Sequence, residues 1–533
     1  MKKSLTLILA FGIQHFLNAQ LTFQDTYGGN TSTDEGVAVA STSTGYVVAG
    51  NMSSSTTGKD IVLFKTDLNG NLIWTKTFSG NQSDEVYAMK GTIDGGFILA
   101  GETSSFPTSG NDTSNAFLIK VDNTGNILWS HQYGGSGRDA AYAVTETSDS
   151  GFVATGFTNS FGAGNEDVLA FRVDKNGNQV WKESIGGTGA DFGRAVAATA
   201  SGNAFVITGN TTGFSAVGNI IYSIRIAGNG TLAWSKMYDF YVSSSNRQRI
   251  GYDLTVNGNN EYVFVGKMGM GNLGDAQAFA MSTDSTGATV NWSNTYSMNS
   301  GDGSAHSIQH SSDGGYIIGC TMGNYYPAIL KIDSLGNRLW DKYYSDATFS
   351  TKGFGNCSIE DANQQYITTG YSVLPSTTDT AITLIKADSV GGTYCNSFGS
   401  FFTGNTSDSV VVTPVISTTI FGGNDNAIVF AINTALIQAG SYCNSGIAEN
   451  NSASTHFTFS PNPMSSSALL STDRQLSPGT ILRVFDSFGR MVMEKPMTNN
   501  QSEIQRGNLA GGIYFYSVIG KEGMLATGKF IVE

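Results

Sequence analysis

Proline, cysteine, histidine and charge are all scarce in this chain. Its 533 residues include 8 Pro, 4 Cys and 5 His, and charged residues make up 13% of it, about half the usual share. So little charge beside 40% hydrophobic residues excludes a disordered polyelectrolyte, and so little proline excludes an extended linker. Four cysteines and five histidines leave little material for metal clusters or thiol chemistry. Bases are scarcer than acids: 29 Lys+Arg face 42 Asp+Glu, a formal charge of −13. That balance repels phosphate backbones and argues against a nucleic-acid partner. No transmembrane segment is evident, because no stretch approaches the ~20 apolar residues of a spanning helix. Glycine, in contrast, is abundant at 66 residues, about twice the average usage, and signals many tight turns.

The N-terminus has Lys2 and Lys3, an apolar run from Leu5 to Ile13, and Ala19 before Gln20. A charged start, a short apolar run and a small residue form a secretory signal peptide over 1–19, with cleavage after Ala19. Export permits disulfides.

The middle of the chain repeats. Trp74, Trp129, Trp181, Trp234, Trp292 and Trp340 recur at spacings of 55, 52, 53, 58 and 48, each closing a phrase such as Asn71-Leu-Ile-Trp74. Phe23 takes the Trp position of a seventh unit. A second column, Gly50, Gly101, Gly156, Gly209, Gly266, Gly319 and Gly370, counts the same seven units. Each unit holds four short segments rich in β-branched and aromatic residues, bounded by Gly, Asn and Asp turns. Four strands per repeat of about 50 residues predict an all-β fold with a seven-bladed β-propeller over 20–394. A Trp once per unit at a fixed strand position reads as packing between blades rather than sugar stacking.

From Gly391 to Ser454 the repeat weakens. Asn426–Asn433 resembles one more strand, but its Gly-terminated predecessor is missing, so 395–454 is expected to be a closing segment or a partial eighth repeat and linker. Tyr394-Cys-Asn-Ser397 and Tyr442-Cys-Asn-Ser445 bracket it, and the exported setting allows a Cys395–Cys443 disulfide. Cys320 and Cys357 read as buried apolar residues.

The last segment has another texture: short alternating strands, with six acids and seven bases from Thr455 to Glu533 against 36 acids and 20 bases between Gln20 and Ser454. This pattern reads as a small Ig-like β-sandwich over 455–533. Pro461-Asn-Pro463, the strand and turn Val484–Arg490 with Gly489, Leu509–Tyr514 with Gly511, Gly512 and Tyr514, and Gly528–Val532 with Lys529 resemble the type A C-terminal sorting domain of Bacteroidetes type IX (Por) secretion cargo. The resemblance implies export to the outer cell surface or beyond, with the type IX machinery as partner.

Candidate chemistry is thin. The recurring Asp-x-x-Gly-Asn turns at Asp67, Asp122 and Asp174 lack the ligand spacing and terminal Glu of helix–loop–helix calcium loops and read as hairpins. Asp34, Asp84, Asp139 and Asp191 follow the Gly-rich turns at equivalent places. Either each bonds backbone N–H groups of its own turn, or they form a partial acidic ring for calcium. His306 and His310 lack a third zinc ligand. No catalytic constellation and no cofactor other than calcium is indicated. The chain is therefore expected to be a secreted or cell-surface propeller that binds a glycan or protein without catalysis. The alternative is a propeller enzyme: a glycan-active hydrolase, or a quinoprotein dehydrogenase, whose repeat the Asp-x-x-Gly-Asn-x-x-Trp phrase also resembles.

Overall fold

The computed structural model describes residues 22–444 and 457–533 apart from short breaks, the longest at 346–352. The signal segment 1–19, Cys395, the side chain of Cys443 and Gly489 lie outside the described residues. Every described element but the turns is a strand, and the chain divides into two units, Met1–Ser445 and Gly446–Glu533. The second begins nine residues before the position where composition changes.

Among the described residues, the first unit consists of seven repeated antiparallel four-stranded sheets. They begin at Glu35, Asp84, Asp139, Asp191, Arg247, Ser304 and Gly353, and each runs up and down in sequence order. The third, for example, comprises Asp139–Glu146, Phe152–Thr158, Asp167–Val173 and Gln179–Gly186. The Trp strand is the fourth of each sheet, so the sequence repeat is out of phase with the structural one. The seventh sheet takes its fourth strand from the N-terminus: Phe23–Gly28 pairs with Thr380–Ala387, with Phe23 opposite Lys386. Phe23 thus fills the Trp place, as its position in the repeat predicts.

The glycine column has a backbone cause. In every sheet the first strand carries a bulge, a one-residue slip against the second strand between Gly36 and Ala38, Val86 and Ala88, Ala141 and Ala143, and at the matching places in the other four. The bulged strand closes over the column glycine. A Cβ on Gly370 would lie 1.7 Å from the Phe354 carbonyl oxygen, and one on Gly209 would lie 1.8 Å from that of Phe192.

The Trp column joins one sheet to the next. Each ring lies on the glycine of the turn that follows the next sheet's third strand: Trp74 on Gly125, Trp129 on Gly177, Trp181 on Gly230, Trp234 on Gly287, Trp292 on Gly336 and Trp340 on Gly391. All six glycines have positive φ, so they are fixed twice, by conformation and by contact. Four residues after the aromatic, Tyr133, Tyr238, Tyr296 and Tyr344 donate from their hydroxyls to the same glycine's carbonyl at 2.7, 2.9, 2.8 and 3.1 Å. Phe23 of the seventh sheet lies on Gly70 of the first, and Tyr27 donates to Gly70 O at 2.6 Å. The series of contacts therefore returns to its start.

The segment after the seventh sheet is not another repeat. Between Ser397 and Asn444 it supplies seven short strands, and each pairs antiparallel with the fourth strand of a different sheet. Ser397–Phe398 joins the sixth sheet, Phe402–Ser407 the fifth, Val410–Pro414 the fourth, Thr418–Ile420 the third, Asn424–Ala427 the second, Ala431–Asn433 the first and Gln438–Asn444 the seventh. Asn426–Asn433, read from sequence as one strand, is two strands on two sheets. Between them Ile428 and Phe430 are buried, and Phe430 meets Phe106 and Phe117 edge-on at 5.2 and 5.7 Å. This belt covers edges whose unpaired backbone groups would otherwise template other strands.

The second unit holds a three-stranded and a four-stranded sheet that share one apolar cluster including Met464, Leu470, Val484, Tyr516 and Phe530.

Candidate functional site

In an up-and-down four-stranded sheet, the turns from first to second and third to fourth strand share one end; the remaining connections share the other. The two ends have different chemistry. The hairpin end carries the repeated aspartates. Asp67 Oδ1 accepts from the N–H groups of Asn69 and Asn71 at 2.8 and 2.9 Å, and its Oδ2 accepts from Asn71 Nδ2 at 2.8 Å. Asp122, Asp174 and Asp333 repeat the arrangement. Partial burial pushes Asp122 up, but the Thr124 hydroxyl and the N–H groups of Asn126 and Thr124 outweigh it and bring the carboxyl to about 2. These are the hairpin turns the repeat predicts, each with its carboxylate satisfied within the turn.

At the other end, Asp34, Asp84, Asp139 and Asp191 are fully buried. Asp84 accepts from Gly80 N–H at 2.7 Å, Asp139 from Gly135 N–H at 2.8 Å and Asp191 from Gly187 N–H at 2.7 Å. Ser105 and Ser160 hydroxyls donate to Asp84 and Asp139 at 2.9 and 2.6 Å. Asp34 lies against Gly28, where a Cβ would meet its Oδ2. Burial raises the carboxyls of Asp84, Asp139 and Asp191 despite these bonds. Asp84, Asp139 and Asp191 each pin their own glycine turn, and the same place in the fifth, sixth and seventh sheets holds Arg249, Gly303 and Gly353. Among the described residues no three His, Cys, Asp or Glu side chains group to hold a metal.

Three residues after each of these positions comes the extra residue of the bulge: Val37, Tyr87, Tyr142, Arg194, Tyr252, His306 and Asn356. Five of them, on five consecutive sheets, touch in order. Tyr87 and Tyr142 meet edge-on at 5.0 Å, Arg194 lies 5.5 Å from the ring centres of both Tyr142 and Tyr252, and Tyr252 meets His306 at 5.1 Å. All five are half-buried. Phe157 and Phe192 back the ladder, 5.4 Å apart. Glu102 anchors one end, accepting from the Tyr87 hydroxyl at 3.1 Å and from Arg138 at 2.8 and 3.2 Å. Burial pushes the phenols of Tyr87, Tyr142 and Tyr252 up, so they stay protonated. Burial, helped by the charge of Lys267, brings His306 down to about 4 and leaves the ring neutral near pH 7. Its Nε2 lies 2.6 Å from Ser304 Oγ, and His310 bonds the Val256 carbonyl instead. Aromatic faces, neutral hydroxyls and one cation in a row form a surface suited to a polar ligand with flat faces.

Sequence reasoning missed this row. Its sequence signal is a bulky residue next to at least one Ala or Gly, three residues after a buried carboxylate for Tyr87, Tyr142 and Arg194 but not for Tyr252 or His306. Cys320 is buried and Cys357 partly so, and burial pushes both thiols up, away from reactivity.

In the second unit the Pro461-Asn-Pro463 loop holds the last strand. Asn462 Oδ1 accepts from Ile531 N–H at 2.9 Å, Met464 N–H donates to Ile531 O at 2.7 Å, and Glu533 N–H donates to Met464 O at 3.0 Å. Tyr514 is buried and donates to Ala510 O at 3.0 Å; Lys529 is exposed; Gly512 has φ 152° beside Gly511. Residues 458–533 match the family model described as a secretion system C-terminal sorting domain. The chain ends in a sorting domain. It is a secreted or cell-surface protein, and among the described residues no helix is long and apolar enough to cross a membrane.

Comparison with curated proteins gave no match. Among solved structures, the polysaccharide lyase Uly1 aligns over 66% of this chain and 90% of its own at 8% identity and a TM-score of 0.39. PorZ, a surface component of the type-IX secretion system of Porphyromonas gingivalis, aligns over 96% and 100% at 9% identity and a TM-score of 0.28. Both likenesses are weak.

Proposed function

We propose that this protein is a non-catalytic binding scaffold, exported by the type IX secretion system: a seven-bladed β-propeller followed by an Ig-like β-sandwich that directs sorting. The cyclic order of aromatic-on-glycine contacts and the N-terminal strand completing the last sheet support the propeller. The observation that carries the binding role is the ladder Tyr87–Tyr142–Arg194–Tyr252–His306. It sits where each first strand is bulged, it departs from the repeat, and it remains open to solvent. Extracellular polymers, glycans above all, match its mixture of faces and hydroxyls.

A glycan array read with wild-type protein and Tyr142→Ala tests the ladder. Binding is expected in the wild type and a loss of about tenfold or more in the variant, the size of effect one stacked aromatic supplies. Retained binding in the variant places the ligand elsewhere. Deleting 455–533 tests export: the truncated protein is expected to stay inside the cell envelope, and its release to the medium would refute the sorting role.

A further inference from the structure

Arg194 is the centre of the ladder and its one cation. The guanidinium is held on three sides by rings, with the centres of Tyr142, Phe192 and Tyr252 each 5.5 Å away. Its Nε donates to Asn210 Oδ1 at 2.8 Å, and Asn210 is fixed in turn by Asn219 at 2.9 Å. Asn219 donates to Gln248 Oε1 at 3.0 Å. The side chain is therefore oriented through one edge of the guanidinium. Among the described residues its two Nη groups have no partner, and they are not sealed from solvent.

Several cations of this unit have a carboxylate partner. Lys59 pairs with Glu85, Lys120 with Asp94, Arg138 with Glu102, Arg172 with Asp149, Arg249 with Asp239 and Lys331 with Asp313. Acids outnumber bases throughout the unit, yet among the described residues Arg194 forms no ion pair. The nearby carboxylate of Glu102 is neutralised by Arg138. A half-buried, pre-oriented cation whose outer Nη edge is free has the geometry for two parallel bonds to two oxygens of one anion.

We propose that Arg194 is an anion subsite that takes the carboxylate or sulfate of an acidic saccharide. The inference rests on the ladder being the binding surface. The rings of Tyr142 and Tyr252 flank the cation, and among the described residues neither phenol hydroxyl has a partner. One cation between two aromatic faces that carry neutral donor–acceptor hydroxyls fits a hydroxyl-rich ring bearing a single anion. An acidic peptide would present neighbouring carboxylates to a surface that offers one cation.

The test is equilibrium binding of the full chain to polygalacturonate, to the same polymer with its carboxyls reduced to alcohols, to dextran sulfate beside dextran, and to poly-glutamate. Wild type and Arg194→Gln, which keeps a donor for Asn210, are compared with Tyr142→Ala, and thermal melts confirm that each folds. Expected is binding to an acidic polysaccharide, at least about tenfold weaker to its neutral form and equally weaker in Arg194→Gln. The carboxylated and sulfated arms tell which anion is taken. Equal binding to charged and neutral forms, or Arg194→Gln binding like wild type while Tyr142→Ala fails, would overturn the anion subsite and leave the ladder standing. Binding untouched by either variant would overturn both, and preference for poly-glutamate or no binding to any probe would overturn the saccharide assignment. If Arg194→Gln fails to fold, Arg194→Lys replaces it. Lysine keeps the charge without the planar fork, and the same tenfold loss is expected.

Discussion

The two ends of the sheets were built by opposite rules. At the hairpin end one solution is copied: an aspartate satisfied by its own turn, a positive-φ glycine, an aromatic ring from the neighbouring sheet. At the other end the backbone device is copied, a bulge in all seven first strands, but the residue it displaces is not fixed: three tyrosines, Tyr87, Tyr142 and Tyr252, stand beside Val37, Arg194, His306 and Asn356. Repetition follows the demands of folding, which are the same in every sheet. Variation at a repeated backbone position marks the place where folding leaves the side chain free for recognition.

This contrast can be broken by substitution. The largest loss is expected from Gly370→Ala, whose Cβ would lie 1.7 Å from a carbonyl oxygen; the sheet must open, costing about 3 kcal/mol or more, read as a lowered urea midpoint or lost soluble yield. Trp181→Ala, which empties a nearly buried site over Gly230, should cost about 3 kcal/mol while leaving ligand binding unchanged. An effect on binding equal to that of Tyr142→Ala would erase the distinction between the ends.

Acid tests the hairpin end more gently. Asp94 is exposed and only slightly desolvated, which raises it, but the bonds from Thr92 and Lys120 hold it at about 2, as the turn bonds hold Asp122. A carboxyl lowered in the folded state stabilises above its unfolded value near 4, and that stability is lost as pH falls towards 2. Asp122→Ala should therefore cost at most about 1 kcal/mol at pH 7, and its melting curve should converge with wild type near pH 2. The smallest effect has the opposite sign. Glu183 is buried and raised to about 7 by that burial, so its ionisation opposes folding as pH rises from its unfolded value through 7. Glu183→Gln should melt slightly higher than wild type at pH 8 and match it at pH 4.

How much was legible follows from the same contrast. The Trp, Gly and Asp columns could be read because each recurs with one physical cause, and they predicted four-stranded units, Phe23 as the seventh aromatic and the hairpin turns at Asp67, Asp122 and Asp174. The bulge could not be read, since a one-residue slip leaves Tyr142 in a run of Ala and Val that looks like ordinary alternation. The belt could be read only as a closing segment or a partial repeat, for a related reason. Strands as short as Ser397–Phe398 and Thr418–Ile420 leave no period to detect, and Asn426–Asn433 is apolar enough to imitate one longer strand. In the C-terminal unit the Pro-Asn-Pro motif was visible, but its tie to the last strand through Asn462 needed the coordinates.

The belt also sets an order of assembly. Synthesis proceeds from the N-terminus, yet the first strand, Phe23–Gly28, is flanked by Thr380–Ala387 on one side and by Gln438–Asn444 on the other. Its partners emerge last, and every sheet waits for its fifth strand until the stretch beyond Ser397 has been made. Such long sequence separations slow folding. A chain that stops short of Asn444 therefore lacks the seventh sheet's outer strand, and the stretch that completes that sheet ends immediately before the unit bearing the export signal, so completeness and the address for secretion are written at the same end of the message.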